Sequence, residues 1–168
     1  MTALAADPAL ALSVIRHLDA QLVSARRLLD LILRQGQAIR ERDVETVLLR
    51  LSDVKTEMAL REHLEQERTQ IVTRAAGSLG TTPDGVTLEA LATLLPQADA
   101  EHARSRSAEL RGLLGEIARE HGINRALMRQ ELAFLDHLVR LIGAEPATGY
   151  APTKPESATV HRVLDLEA

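Results

Sequence analysis

Ile15, Leu18, Leu22, Ala25, Leu29, Ile32, Gly36 and Ile39 follow one another in steps of three and four residues. A repeat of that period held over so many turns describes a long helix with one apolar seam. The helix opens at Asp7-Pro8, where an acid can accept free backbone N–H groups and proline, lacking its own, costs nothing. From Asp7 to about Arg42 it extends roughly 50 Å at 1.5 Å per residue. A second helix follows through Val44, Val47, Leu51, Val54 and Met58, turns highly charged over Arg61 to Arg68, and resumes at Ile71, Val72 and Ala75. Asp43 either caps this helix or lies inside a continuous one; a tight break at Arg42-Asp43 is the preferred reading.

The stretch from Gly77 to Gly85 gathers glycines, threonines and a proline and predicts a loop. A short helix over Leu88 to Leu95, closed by Pro96, precedes a last long helix from about Asp99 to Ile142. The seam of that helix holds Leu110, Leu114, Ile117, His121, Asn124, Met128, Glu131, Leu135, Leu138 and Ile142, and Gly143 is a natural stop. Residues 144–168 carry Pro146, Pro152 and Pro155 among small and polar residues and read as a flexible C-terminal tail. The expected fold is all-α: an elongated up-down helical bundle, or antiparallel coiled coil, of three long helices plus one short helix, forming a single domain over 1–143.

Composition agrees. Phe134 and Tyr150 are the only aromatic residues in 168, too few for an aromatic-lined ligand pocket. Formal net charge is −4, with acids and arginines interspersed, so nucleic acid is not an expected partner. Cysteine is absent, which excludes disulfides and thiolate metal sites. Met1 to Leu12 has no basic stretch and the apolar run Leu28 to Leu33 is interrupted by Asp30, so neither a signal peptide nor membrane insertion is expected.

Motifs for chemistry are weak. Ser52-Asp53-Val54-Lys55 spells Ser-x-x-Lys without companion motifs, and Lys55 reads as a solvated helix residue. The six histidines form no pair of Glu-x-x-His motifs; Asp99-x-x-His102 comes nearest, at a helix start, where capping explains it better than metal. The glycines at 77, 80 and 85 lack the lysine and preceding strand of a phosphate loop. No catalytic residue, metal or cofactor is expected, and the chain is not read as an enzyme.

The last helix is unusual for the breadth of its apolar face. Met128, Leu135 and Ile142 share one line with Leu138 beside it; Leu132 and Val139 flank one side, and Leu127, Phe134 and Leu141 the other. The arc is roughly 160° wide, against about 100° for a surface helix. Either further helices of the chain cover it as core, or a bound partner segment does. His121 and Asn124 fall on the same seam, where a buried polar side chain can set register; alternatively the helix is slightly rotated and both are half exposed.

Several of these pieces, in this order, resemble the FlgN family of flagellar export chaperones. Ile39-x-x-x-Asp43-x-x-x-Val47-x-x-x-Leu51-x-x-x-Lys55 is similar to the family's hairpin, and Leu88 to Pro96 to its short helix ending in Leu-Leu-Pro. Asn124-Arg125-Ala126-Leu127-Met128, followed by Leu132-Ala133-Phe134-Leu135, resembles its last helix, and Gly149-Tyr150 its Thr-Tyr. The chain departs from the family in having His121 where Asn-x-x-Asn is usual and Ala151-Pro152 where a Gly-rich turn is usual. The resemblance implies a cytoplasmic chaperone that binds helical terminal segments of hook-associated (hook–filament junction) proteins, keeps them unpolymerised and delivers them to the flagellar type III export apparatus. On that reading Leu127, Leu132, Phe134, Leu135, Leu138, Val139 and Leu141 contact the client, and Tyr150 is the candidate for docking to the export gate. The competing expectation is a structural coiled-coil adaptor or self-associating scaffold, a homodimer through the same strip.

Overall fold

The computed structural model describes residues 6–143. The chain forms α1 (Pro8–Glu41), α2 (Val44–Leu79), a 3₁₀ turn (Pro83–Gly85), α3 (Leu88–Ala92) and α4 (Gln97–Gly143). Residues up to Ala133 make one compact unit, and α4 from Phe134 onward belongs to a second.

Local chemistry sets the helix ends. Asp7 caps α1: its Oδ1 accepts from the Ala9 and Leu10 backbone N–H groups at 3.0 Å each, with Pro8 in the first turn. The N–H of Leu10 chiefly, with the Arg74 guanidinium, holds the Asp7 carboxyl below its ordinary value. The break falls at Arg42-Asp43. Arg42 adopts φ 58° and its N–H returns to Ile39, while Asp43 caps α2 by accepting from the Thr46 N–H at 3.0 Å and the Thr46 hydroxyl at 2.6 Å. Those Thr46 bonds, the hydroxyl foremost, hold Asp43 below its ordinary value too.

The order of contacts fixes the topology. Asp7 meets Arg74 at 2.7 Å, His17 meets Glu67 at 3.5 Å and Ser24 meets Glu57 at 2.6 Å, so α2 runs antiparallel to α1. Asp19 pairs with Arg106 at 2.7 Å, Arg26 pairs with Glu109, the Ile32 carbonyl accepts from Asn124 at 2.8 Å and Arg42 pairs with Glu131 at 3.4 Å, so α4 runs parallel to α1. The result is the expected all-α, up-down-up helical bundle with α1 between its neighbours.

One apolar core cluster lies where α1 begins and α2 ends, and buried apolar residues continue along α1 through Leu22, Ala25, Leu28, Ile32, Ala38 and Ile39. Leu10, Ala11 and Val14 pack with Ala75, Leu91, Leu94, Leu95, Ala100 and Ala103; each leucine so buried contributes about 1.5–3 kcal/mol. The Asp7 N–H donates to the Leu94 carbonyl at 2.8 Å, and Arg104 grips both oxygens of Glu89, tying α3 to both neighbours.

Two boundaries and one buried face differ from the sequence expectation. The predicted loop at Gly77 begins later: α2 runs through Leu79 and stops at Gly80, whose φ of 65° suits glycine. The short helix ends at Ala92 rather than Leu95, although Leu94 and Leu95 still bond back three residues to Leu91 and Ala92 in tighter turns. On α1 the buried face extends beyond the predicted seam to His17, Gln21, Ser24, Leu28 and Gln35, while Ile15, Leu18 and Leu29 are only half buried. Helices on two sides of α1 rotate its buried face away from a single line.

Candidate functional site

Asn124 is fully buried on α4, with its side-chain amide donating to the Ile32 carbonyl. Opposite it α1 carries Gly36, where a built Cβ would stand 2.5 Å from Asn124 Oδ1. Only glycine leaves room for the amide to reach the neighbouring backbone. His121, grouped with Asn124 in the sequence reading, points elsewhere: it is exposed, because one turn earlier α4 has turned that position off the α1 contact. Of the two, Asn124 alone has the buried setting a register-setting residue needs.

A second polar layer crosses the α1–α2 interface. Glu57, 3% exposed, accepts from the Ser24 hydroxyl at 2.6 Å and lies 3.4 Å from Arg27; Arg61 donates to the same Ser24 oxygen at 3.3 Å. Sequence reasoning missed this cluster. Val47, Val54, Glu57, Arg61 and Leu64 step along the face of α2 toward α1, whereas Val44, Leu51 and Met58 of the expected seam are exposed, and only the rotation of α2 decides between the two rows.

Along α4 the candidate strip is open to solvent. In the second unit Leu135, Val139 and Ile142 lie within one band of the helix surface, with exposure reaching 68% at Val139 and 74% at Ile142, and in the first unit Leu132 is exposed. Phe134 and Leu141, on the adjoining band, are exposed as well, while Leu127 and Leu138 are half buried. Side chains of this size left in water at a spacing of three and four residues form the face an amphipathic partner helix covers. Packing among the described residues leaves Leu132, Leu135, Val139 and Ile142 exposed. Tyr150 and the tail from 144 onward lie outside the described residues.

The other motifs stay apart. Ser52 and Lys55 are both exposed on α2, where the Ser52 carbonyl accepts from the Thr56 hydroxyl. Among the described residues no three His, Asp or Glu side chains gather to hold a metal, and no helix is long and apolar enough to cross a membrane.

The family described as FlgN protein matches the chain over residues 10–156, which takes in α1 to α4 entirely except for Pro8 and Ala9 at the start of α1. The chain belongs to the FlgN family. FlgN is a family of flagellar export chaperones, so an exposed apolar face on a FlgN helix has a functional context that a solitary bundle lacks. No curated protein and no solved structure matches the chain.

Proposed function

We propose that this FlgN-family chain is a cytoplasmic chaperone for hook-associated proteins. It binds their helical terminal segments through Leu127, Leu132, Phe134, Leu135, Leu138, Val139 and Leu141 and hands them to the type III export apparatus. The observation that carries the reading is the exposure of the α4 strip, most of all Leu132, Leu135 and Val139. A client helix built to be buried between filament subunits presents an apolar face that aggregates when free. Laying that face on the α4 strip removes both surfaces from water at once. Tyr150 is the proposed point of contact with the export gate, and no chemical step is assigned to the chain.

The test is capture of a carboxy-terminal fragment of a hook–filament junction protein by the purified full chain, compared with Leu135→Asp and Val139→Asp. Loss of capture by folded variants supports the reading. A stable dimer that ignores the fragment, and that the same substitutions convert to monomer, would establish the self-associating scaffold instead.

A further inference from the structure

Arg125 and Arg129 stand one helical turn apart on α4, both exposed, and Leu132 follows three residues later on the same face, exposed as well. Like charges at that spacing repel, so the pair costs the helix stability as it stands. Nothing within the helix relieves it. Apart from each other, the residues three and four positions to either side of the two arginines are His121, Gly122, Ala126, Met128, Leu132 and Ala133, none of them a carboxylate. Neither arginine has an ion pair or hydrogen bond among the described residues. Other arginines of α1 and α4 are engaged: Arg119 meets Glu120 at 3.1 Å, Arg42 takes Glu131 at 3.4 Å, and in the second unit Arg140 pairs with Asp136.

Exposed arginines by themselves are ordinary solvated surface. These two differ in their place, because they share a face with Leu132, the exposed residue of the proposed client strip that lies in the first unit. A partner that covers Leu132 passes beside both guanidiniums, whose planar forks suit carboxylates. From that juxtaposition, and resting on the reading of α4 as the client surface, we infer that Arg125 and Arg129 select among clients. They recognise a helical segment that carries Asp or Glu along one edge of its apolar face. Leucine-sized side chains supply the attraction common to any amphipathic helix; the arginines discriminate, favouring an acidic edge and repelling a basic one. Binding then also relieves the repulsion between the two arginines of the free chain.

The experiment measures binding of three designed helical peptides to the full chain, alike in their leucines and carrying glutamate, glutamine or lysine at the positions flanking them. The glutamate peptide is expected to bind about fivefold more tightly than the glutamine peptide, and the lysine peptide less tightly than either, a ranking that flattens at high salt. Arg125→Gln combined with Arg129→Gln abolishes the ranking, Arg16→Gln near the start of α1 preserves it, and Leu132→Asp weakens all three peptides. Arg125→Glu separates recognition from folding: it sets a carboxylate four residues before Arg129, so it raises the thermal midpoint while removing the preference. Equal binding of the three peptides by the wild-type chain, a ranking that survives loss of both arginines, or binding that Leu132→Asp leaves unchanged would each overturn the inference. Capture of the junction-protein fragment unaltered by Leu135→Asp and Val139→Asp would overturn the strip reading, and the inference with it.

Discussion

The side chain of Asn124 occupies the space a side chain at position 36 would need: a Cβ on Gly36 would lie 2.5 Å from Asn124 Oδ1. One residue supplies the amide and the other the gap, so α1 and α4 are keyed at one height and no other.

That fit predicts a change of sign. Gly36→Ala alone sets a helix-favouring gain of about 1 kcal/mol against a clash of roughly 1–3 kcal/mol with a hydrogen-bonded amide, and is expected to destabilise. Asn124→Ala alone costs about 1–3 kcal/mol. In the Asn124→Ala background the clash is gone, so Gly36→Ala becomes neutral or stabilising. Chemical denaturation of the four proteins measures the coupling, and additive effects would show that the pair is not keyed.

Ser24 and Glu57 form the second polar contact with a testable asymmetry. Ser24→Ala leaves the buried carboxylate short of a donor and is expected to cost about 1–3 kcal/mol. Glu57→Leu removes the charge with its need for a partner and is expected to lie within about 1 kcal/mol of the parent or above it. In the double variant the cost of Ser24→Ala shrinks. A loss from Glu57→Leu as large as that from Ser24→Ala would contradict this.

Acid should weaken the fold through its caps and clamps. Asp7 and Asp43, ordinarily near 3.8, and Glu65 and Glu89, ordinarily near 4.5, are all held lower in the folded chain. The unfolded chain therefore takes up protons first, and the stability these groups contribute is complete above their ordinary values. It is lost as pH falls through the lower folded values. Thermal unfolding followed by circular dichroism from pH 6 to pH 2 should show this decline below about pH 4.5, and Asp7→Asn should make it shallower.

Exposed and buried leucines should separate cleanly. Leu135→Asp and Val139→Asp are expected to change unfolding free energy by less than about 0.5 kcal/mol, whereas Leu10→Ala costs about 2–5 kcal/mol. Denaturant titrations decide it. A large loss at Leu135 would mean that the strip belongs to the core.

Much of this fold was legible in the chain because its signals are local. Asp7-Pro8 and Arg42-Asp43 announce helix ends by capping chemistry that acts within four residues, and the α1 repeat announces a long helix. Gly77 misled because a glycine in a helix interior costs only about 1 kcal/mol, and α2 continues past it to the left-handed stop at Gly80. The burial of Glu57 and the exposure of His121 were not legible, since each depends on which way its helix is turned against α1. The breadth of the α4 face was visible in the spacing of Leu132 to Ile142; its openness to solvent required the packed chain.

The clustering of Leu10, Ala75, Leu91 and Ala103 at the start of α1 gives the bundle a pivot. Toward the Arg42-Asp43 bend the apolar share is thinner, with Ile32, Ala38 and Ile39 buried, and backbone caps, the Arg42–Glu131 ion pair and the Asn124 amide add to it. Fluctuations that open the bundle therefore begin at the bend and die out toward α3, much as tongs part at the tips while the rivet holds. A gradient of amide exchange along α1, fast near Ile39 and slow near Leu10, would be the trace of that motion.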